Sequence, residues 1–252
     1  MINYIIITGT SRGLGEAISM NLIQPENHLF CISRSANSRL VEGAKNKGVS
    51  LDYFQRDLSE SSKTEELFEK IFKKIDFDAV NSISLINNAG VLAPISVADK
   101  YNSEEVARNI DINLTAPILT TGLFIKNTNH LNIEKRIINI SSGAANKAYH
   151  GWGPYCASKA GLNIFSKCVS LEQKTRKYPV KLFSVAPGVI DTEMQAGIRN
   201  TKKDDFVDLE RFIAYKEDGK LMPPDSVAKK IIKLLTINKF ESGEFIEIEE
   251  LE

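Results

Sequence analysis

The amino-acid sequence predicts an α/β fold, a doubly wound parallel sheet with helices on both faces. Short apolar runs rich in β-branched residues recur along the chain, longer segments with helical periodicity separate most of them, and no linker-like or low-complexity stretch intervenes. Strands that are apolar on both faces and alternate with helices are typical of parallel sheets covered on both sides. We therefore predict a single domain over residues 1–252, built on seven strands.

The apolar runs define the predicted strands in chain order. The clear candidates are YIIIT at 4–8, LFCIS at 29–33, SISLIN at 82–87, RIINIS at 136–141, KLFSVA at 181–186 and FIEI at 245–248. VSLDYFQRDL at 49–58 is a weaker candidate for the third strand, supported mainly by its position between two helical segments.

The segment 191–222 carries no strand pattern and interrupts the alternation. A new helix is predicted to begin at Pro223 or Pro224, because proline favours the first turn of a helix. Ligands of open α/β sheets bind beyond the carboxyl ends of the strands, so a helical insertion after the sixth strand is well placed to cover a substrate. A surface excursion without a binding role explains this segment equally well.

The composition limits the possible partners and compartments. Thirty-two basic and 32 acidic residues cancel, which argues against nucleic acid or an anionic membrane surface as a partner. Cys31, Cys156 and Cys168 show no C-x-x-C spacing, so we expect neither disulfides nor a metal site. The sequence has no leader-like start and no apolar run long enough to span a bilayer, and we expect a cytoplasmic protein.

A glycine-rich loop, TGTSRGLG, directly follows the first predicted strand. Gly9, Gly13 and Gly15 precede a helical segment. Glycines permit a tight turn and a close backbone approach to a pyrophosphate, while the amides and dipole at a helix N-terminus favour negative charge. Because strand, loop and helix occur in the required order, this segment predicts a dinucleotide site.

The loop has the spacing T-G-x-x-x-G-x-G, and four further motifs follow it. These are NNAG at 87–90, NISS at 139–142, Tyr155 with Lys159, and APGVIDT at 186–192. In this order the motifs resemble those of the short-chain dehydrogenase/reductase family, and the resemblance covers nearly the whole chain. It implies a Rossmann fold, a nicotinamide cofactor and a carbonyl–alcohol reaction.

The resemblance also implies a set of cofactor contacts. They comprise the loop, the end of the third strand, the NNAG segment, the Tyr/Lys pair and the PGVIDT segment: Gly9, Ser11, Arg12, Gly13, Leu14, Gly15, Asp57, Leu58, Asn87, Ala89, Gly90, Tyr155, Lys159, Pro187, Gly188, Val189 and Thr192.

The end of the second strand predicts a preference for NADPH. An acidic residue there accepts hydrogen bonds from the ribose of NAD, whereas basic residues accommodate the 2′-phosphate of NADP. No carboxylate occurs from His28 to Val41, and Arg34 and Arg39 are available. A guanidinium binds phosphate through charge-assisted hydrogen bonds. Arg12 in the glycine loop is a second candidate cation.

Tyr155 and Lys159 are four residues apart, so on a helix they share one face. Carbonyl reduction needs an acid and a polarising donor near the oxygen that gains charge. Lowering a phenol pKa from about 10 to neutrality takes roughly 4 kcal/mol. An ammonium about 4 Å away can supply that much. We therefore expect Tyr155 to be the proton donor and Lys159 to lower its pKa.

The resemblance assigns three further roles. Lys159 would also bond the nicotinamide ribose, and Ser142 would donate a hydrogen bond to the substrate oxygen. Its neighbour Ser141 is disfavoured by side-chain alternation along the strand. Asn113 would organise a water relay to the lysine, although an asparagine in a helix can instead mark a kink or a cap.

Within the family the chain most resembles the sepiapterin-reductase-like branch, and more closely the bacterial benzil reductases. The stretches TGTSRGLGEAI, INNAG, NISSGA, GWGPYC and APGVIDTEMQA carry this resemblance. It implies NADPH-dependent reduction of an aromatic α-diketone such as benzil to (S)-benzoin. Ala144, Tyr149, Trp152 and Met194, with Phe206, could line an apolar substrate pocket, although each could equally be a packing residue.

Two other functions stay open. One is reduction of a sepiapterin- or pterin-type ketone, and the other is a non-catalytic sensor of NADPH, which the complete Ser/Tyr/Lys set disfavours. A hydrolase is disfavoured because no G-x-S-x-G motif follows a strand. Family members usually pair through helices that here would span 103–127 and 154–177, which implies a homodimer, with a tetramer as the alternative.

Overall fold

The sheet contains seven parallel strands. The computed structural model describes residues 1–251. The strands are β1 (Ile2–Thr8), β2 (Asn27–Ser33), β3 (Ser50–Gln55), β4 (Val80–Asn87), β5 (Glu134–Ile140), β6 (Lys181–Ala186) and β7 (Phe245–Glu247). They lie in the order β3-β2-β1-β4-β5-β6-β7, and every adjacent pair is parallel. The prediction of a doubly wound, seven-stranded Rossmann-type sheet is confirmed.

Nine α-helices connect and flank the strands within residues 1–251. They are α1 (Gly13–Asn21), α2 (Ser38–Asn46), α3 (Thr64–Phe72), α4 (Ser103–Ile110), α5 (Ala116–Thr128), α6 (Gly153–Gln173), α7 (Glu193–Arg199), α8 (Leu209–Glu217) and α9 (Pro224–Lys233). A short π-helical segment, Asp111–Thr115, joins α4 to α5. Proline at the first position of α9 sets its start, as expected from the sequence.

The apolar run of β1 is explained by the two layers that cover the sheet. Tyr4 and Ile6 pack on the face covered by α3 and α5, whereas Ile5 and Ile7 pack on the face covered by α1 and α9. All four side chains are at most 4% exposed. Successive residues of a strand point to opposite faces, so a strand covered on both sides must be apolar throughout.

The weakest strand prediction is correct in type but too long. β3 ends at Gln55, so Arg56, Asp57 and Leu58 of the predicted segment lie beyond the strand. β3 is an edge strand, and most of its side chains are only half-buried, which is why its apolar pattern is weak. The three residues after it lie at the carboxyl edge of the sheet, where ligands of such folds bind.

Two helices, α7 and α8, lie within the segment 191–222. The backbone of Met222 pairs with Val189 and Asp191, which closes the base of the segment. A separate apolar cluster joins these helices to the start of α6, with Trp152, Phe206 and Phe212 at its centre. The segment therefore packs over the carboxyl edge of the sheet.

None of the helices in residues 1–251 combines the length and the apolar character that a membrane crossing requires. The cytoplasmic location stays a prediction.

Candidate active site

A cleft of about 1410 Å³ runs along the carboxyl edge of the sheet. The glycine loop after β1, the segments after β4, β5 and β6, and helix α7 all contribute to its walls. β1 and β4 are neighbours in the sheet although their connections lead to opposite sides of it. Such a reversal of strand order is where open α/β sheets bind ligands.

The glycine loop has the backbone that a phosphate cradle requires. Gly9 and Gly13 have φ values of 74° and 60°, which other residues rarely adopt. A Cβ atom on Gly15 would lie 2.1 Å from the carbonyl oxygen of Gly9. The loop leads into the N-terminus of α1, whose free amides favour an anion.

Asn88 holds the glycine loop in place through side-chain hydrogen bonds. The sequence analysis did not identify it as a site residue. Its Nδ2 donates to the carbonyl oxygens of Thr8 (2.9 Å) and Gly9 (3.1 Å). It therefore links the end of β4 to the first turn of the fold. The sequence signal that could have identified Asn88 was its position within the NNAG motif, next to the predicted Asn87.

Seventeen predicted cofactor residues from the motifs and the end of β2 line the cleft. They are Gly9, Ser11, Arg12, Gly13, Leu14, Gly15, Arg34, Asp57, Leu58, Ala89, Gly90, Tyr155, Lys159, Pro187, Gly188, Val189 and Thr192.

Asn87 differs from the others, because the structure places it beneath the cleft. It is 3% exposed and is not part of the cleft wall. Its Nδ2 donates to Asn139 (2.9 Å), and its Oδ1 accepts from Thr120 (2.8 Å). These bonds tie β4 to β5 and α5. The Asn87 side chain therefore crosslinks the sheet and does not line the cleft. A cofactor contact by this residue stays a prediction.

Asp57 lines the cleft, but its carboxylate is already engaged. Arg108 donates to it at 2.8 Å, and the backbone amide of Ser59 donates at 3.0 Å. Burial acts to raise the pKa of Asp57, but the bonds from Arg108 and Ser59 outweigh it and lower the pKa to about 2. The predicted adenine contact would have to share this carboxylate with Arg108.

The three arginines near the end of β2 differ in whether they form ion pairs. Arg12 pairs with Glu193, and Arg39 pairs with Glu16 at 3.2 Å. Within residues 1–251, Arg34 makes no ion pair. A side pocket of about 360 Å³ is lined by Ser11, Arg12, Arg34 and Ser35, none of which is acidic. The role of Arg12 as a second cation stays a prediction, and a 2′-phosphate bound there would share this side chain with Glu193.

Ser142, Tyr155 and Lys159 line the same cleft, and the Ser142 and Tyr155 side chains are neighbours there. Ser142 follows β5, and its Oγ accepts a hydrogen bond from the Ala144 amide (3.1 Å), so its own proton is free to donate. Tyr155 and Lys159 lie one turn apart on α6 and are 8% and 4% exposed. The Lys159 ammonium lies 5.8 Å from the centre of the Tyr155 ring and donates to the Ile140 carbonyl (2.8 Å).

The pKa of Tyr155 differs from the expectation. Burial raises the pKa of the phenol above its usual value, and the neighbouring Ser142 hydroxyl opposes that rise only in part. Burial also lowers the pKa of Lys159 to about 8. Burial is thus the largest influence on the pKa of Tyr155, and the phenol stays protonated at neutral pH.

Asn113 lies in the π-helical segment between α4 and α5 and is fully buried. Its Oδ1 accepts from the Val91 amide (2.8 Å), and its Nδ2 donates to the Val91 carbonyl (2.7 Å). It also donates to Ser158 on α6 (3.2 Å). The side chain thus holds the segment after β4 against α6 beside Lys159. The water relay stays a prediction.

The hydrogen-bond partners of Ser141 and Ser142 show which of the two can bind a substrate oxygen. Ser141 is 2% exposed and donates to Asn163 (2.7 Å) on α6. Ser142 is half-buried and faces the cleft.

The far end of the cleft is largely apolar. The predicted residues Ala144, Tyr149, Trp152 and Met194 all line it. Phe206 does not, because it is fully buried and stacks behind Trp152 at 4.9 Å. Ile198 and Phe212 from α7 and α8 add apolar walls that the sequence analysis missed.

Comparison with known proteins agrees with these features. The short chain dehydrogenase family model matches residues 3–203. A benzil reductase ((S)-benzoin forming) of Bacillus cereus is 47% identical over 247 residues, which cover 98% of this chain and 99% of the relative. A protein of the same name from Bacillus subtilis is 40% identical, covering 97% and 98%. A sepiapterin reductase of Meriones unguiculatus is 30% identical, covering 96% and 94%.

Solved structures share the whole fold. A short-chain dehydrogenase/reductase from Saccharomyces cerevisiae superposes with a TM-score of 0.83 at 26% identity, covering 98% of this chain and 96% of the other. The KRED1-Pglu enzyme gives 0.82 at 26% identity, covering 96% and 99%. Family motifs, fold and relatives all agree: this chain is an oxidoreductase of the short-chain dehydrogenase/reductase family.

Proposed function

We propose that the protein is an NADPH-dependent carbonyl reductase that reduces an aromatic α-diketone such as benzil to (S)-benzoin. The observation that carries this proposal is the position of Ser142, Tyr155 and Lys159 between a nucleotide cradle and an aromatic-walled pocket. Two relatives at 47% and 40% identity bear the name benzil reductase ((S)-benzoin forming), which supports the substrate class.

The cleft fits NADPH. The glycine loop and the N-terminus of α1 would hold the pyrophosphate, because the first amides of a helix lack intrahelical acceptors and glycines allow a close backbone approach. The side pocket formed by Ser11, Arg12, Arg34 and Ser35 would hold the 2′-phosphate of the adenosine ribose. The absence of an acidic side chain from that pocket favours NADPH over NADH.

Each catalytic residue of the cleft has a separate role in the reduction. When bound, NADPH would supply a hydride, with both electrons, to the carbonyl carbon of the substrate. Ser142 donates a hydrogen bond that stabilises the charge growing on the oxygen, and Tyr155 transfers its phenolic proton to that oxygen. One ketone thereby becomes an alcohol, and solvent returns the proton to Tyr155. The raised pKa of Tyr155 keeps the proton on the phenol before reaction, so transfer requires that the phenolate be stabilised as it forms.

Lys159 stabilises the phenolate that forms when Tyr155 gives up its proton. The ammonium lies 5.8 Å from the centre of the phenol ring, and a positive charge at about that distance contributes roughly 3 kcal/mol at an intermediate dielectric constant. This contribution exists only while the ammonium is protonated, so the lowered pKa of Lys159 affects activity near neutral pH.

The rate of reduction should fall at alkaline pH. Burial lowers the pKa of Lys159 to about 8, so its charge is present below this pH and is lost above it. We expect kcat/KM for ketone reduction to decrease as pH rises through about 8, because this parameter reports groups of the enzyme form that binds the ketone. Initial rates measured from pH 6 to 10 with saturating NADPH would check this. A flat profile across that range would contradict the role given to Lys159.

The segment 191–222 is proposed to cover the substrate. Phe212 on α8 and Ile198 on α7 contribute to the wall of the pocket. Gln195 on α7 donates to the Phe212 carbonyl (3.1 Å), and Lys216 pairs with Asp191 at 2.6 Å. These contacts join the two helices to each other and to the base of the segment.

A substrate survey tests the proposed function. NADPH oxidation would be followed with benzil, other diketones, sepiapterin and simple aldehydes. We expect the highest kcat/KM with benzil and an (S)-configured product by chiral chromatography. A higher value with sepiapterin would favour the alternative suggested by the sepiapterin reductases at about 30% identity. Tight NADPH binding without turnover of any carbonyl would instead favour a sensor.

We propose that the protein is a homodimer that pairs through α6. Ile164 and Leu171 lie seven residues apart on one side of this helix and are 60% and 62% exposed. Large exposed aliphatic side chains at this spacing form an apolar stripe. Light scattering should give twice the mass of one chain, and Ile164→Asp with Leu171→Asp should halve it. A monomer before substitution would contradict this, and four chains would support the tetramer.

A further inference from the structure

Trp152 carries a buried hydrogen-bond donor that has no partner. The residue is 5% exposed, and its Nε1 is buried without an acceptor in residues 1–251. Nearly all buried donors in proteins are hydrogen-bonded, and the indole N–H cannot act as an acceptor. Trp152 lines the cleft beside the reacting groups. Its unpaired N–H therefore marks a position where a ligand oxygen would be stabilised.

Packing holds the orientation of this donor. The indole ring stacks on Phe206 with centres 4.9 Å apart and planes 2° apart. Phe212 packs edge-on against it at 5.4 Å. The rings on these two sides restrict rotation of the indole, so the direction of its N–H bond is set by the fold.

The indole also lies next to the proton donor. The ring centres of Trp152 and Tyr155 are 5.8 Å apart, and the planes are nearly perpendicular at 82°. A carbonyl oxygen bound by Ser142 and Tyr155 would thus lie close to the tryptophan. In an α-diketone the second carbonyl is on the adjacent carbon, and burial removes its oxygen from water as well. That oxygen requires a donor, because unpaired buried acceptors are costly.

We propose that the Trp152 N–H donates a hydrogen bond to the second, non-reacting carbonyl of an α-dicarbonyl substrate and so selects such substrates over simple ketones. This inference rests on the diketone reductase function proposed above. The nitrogen is covered by protein atoms, so a neighbouring side chain has to move before a substrate oxygen can reach it. Tyr149 is half-buried, lines the same cleft and packs 4.8 Å from Trp152, and we infer that it is the side chain that moves.

A matched pair of substrates tests the role of this donor. Deoxybenzoin has the same two phenyl groups as benzil but a methylene in place of one carbonyl. Trp152→Phe keeps an aromatic wall and removes the N–H. We expect the variant to lose about five- to tenfold in kcat/KM for benzil, the range of one neutral hydrogen bond, and less than about twofold for deoxybenzoin. Equal losses for both substrates would overturn the proposal.

A second measurement needs no substitution. The chain contains a single tryptophan, so its indole N–H gives one signal in a proton–nitrogen correlation spectrum. With bound NADP⁺, which cannot reduce a ketone, benzil should move this signal further downfield than deoxybenzoin does. Because both compounds carry two phenyl rings, deoxybenzoin controls for ring-current effects. Equal shifts with the two compounds would also overturn the proposal.

The possible outcomes distinguish a failure of the Trp152 proposal from a failure of the proposed reductase function. If wild-type protein turns over neither compound, the proposed reductase function itself is wrong. If it reduces benzil and Trp152→Phe affects both substrates alike, the reductase function stands and the role of the N–H is wrong.

Discussion

Replacing Tyr155 with phenylalanine should abolish most of the turnover while leaving NADPH binding largely intact. The substitution removes only the hydroxyl that is to supply the proton, and general acid catalysis contributes about a hundredfold to ten-thousandfold to rates. We expect kcat with benzil to fall by that amount. The Kd for NADPH, measured by fluorescence titration, should change by less than about threefold, because the ring still occupies its place in α6.

Tyr178→Phe is the matched control for this experiment. Tyr178 does not line the cleft and is given no part in proton transfer or in substrate binding. Its loss of a hydroxyl should leave kcat within about threefold of wild type, as expected for a group outside the reacting set. A Tyr155→Phe variant that keeps a tenth of wild-type kcat would show that another group supplies the proton.

Replacing Arg34 with aspartate should reverse the cofactor preference. Arg34 makes no ion pair in residues 1–251 and lines the side pocket with Ser11 and Ser35. The substitution removes charge-assisted hydrogen bonds to the 2′-phosphate and adds a charge that repels it, whereas a carboxylate can accept bonds from the ribose of NADH. The ratio of kcat/KM for NADPH to that for NADH should fall by about a hundredfold or more.

Arg176→Asp makes the same change in charge at an exposed position outside the cleft. It controls for the general effect of losing one positive charge and gaining one negative charge on the binding of a polyanionic ligand, and its cofactor ratio should stay within about twofold of wild type. If the Arg34 variant behaves like this control, the side pocket is not the site of the 2′-phosphate.

The central strand shows why most of the fold could be predicted from the sequence. The apolar run at 4–8 predicted the strand Ile2–Thr8 correctly. A strand that is buried on both faces is apolar along most of its length, so its sequence signal is strong. The order of Ser142, Tyr155 and Lys159 was also informative, since a strand end and one helix turn are enough to bring them together. The edge strand β3 was harder, because half-exposed positions weaken the same signal.

Other features depend on packing that local patterns do not contain. Asn87 and Asn88 are adjacent, yet one crosslinks the sheet and the other braces the glycine loop. The direction of each side chain is set by the end of β4. Phe212 reaches the pocket only through the fold of α8 over Trp152. The raised pKa of Tyr155 reflects burial, which the spacing of Tyr155 and Lys159 does not reveal.

The bonds from Asn88 have a consequence for stability. They join the first turn to a residue 80 positions later, so the nucleotide cradle is assembled only after β4 has docked beside β1. An isolated N-terminal fragment would lack this closure. Dinucleotide that binds only the assembled cradle would add its free energy to the unfolding of the entire domain, and cofactor would thus protect distant helices from denaturant as strongly as the loop it touches.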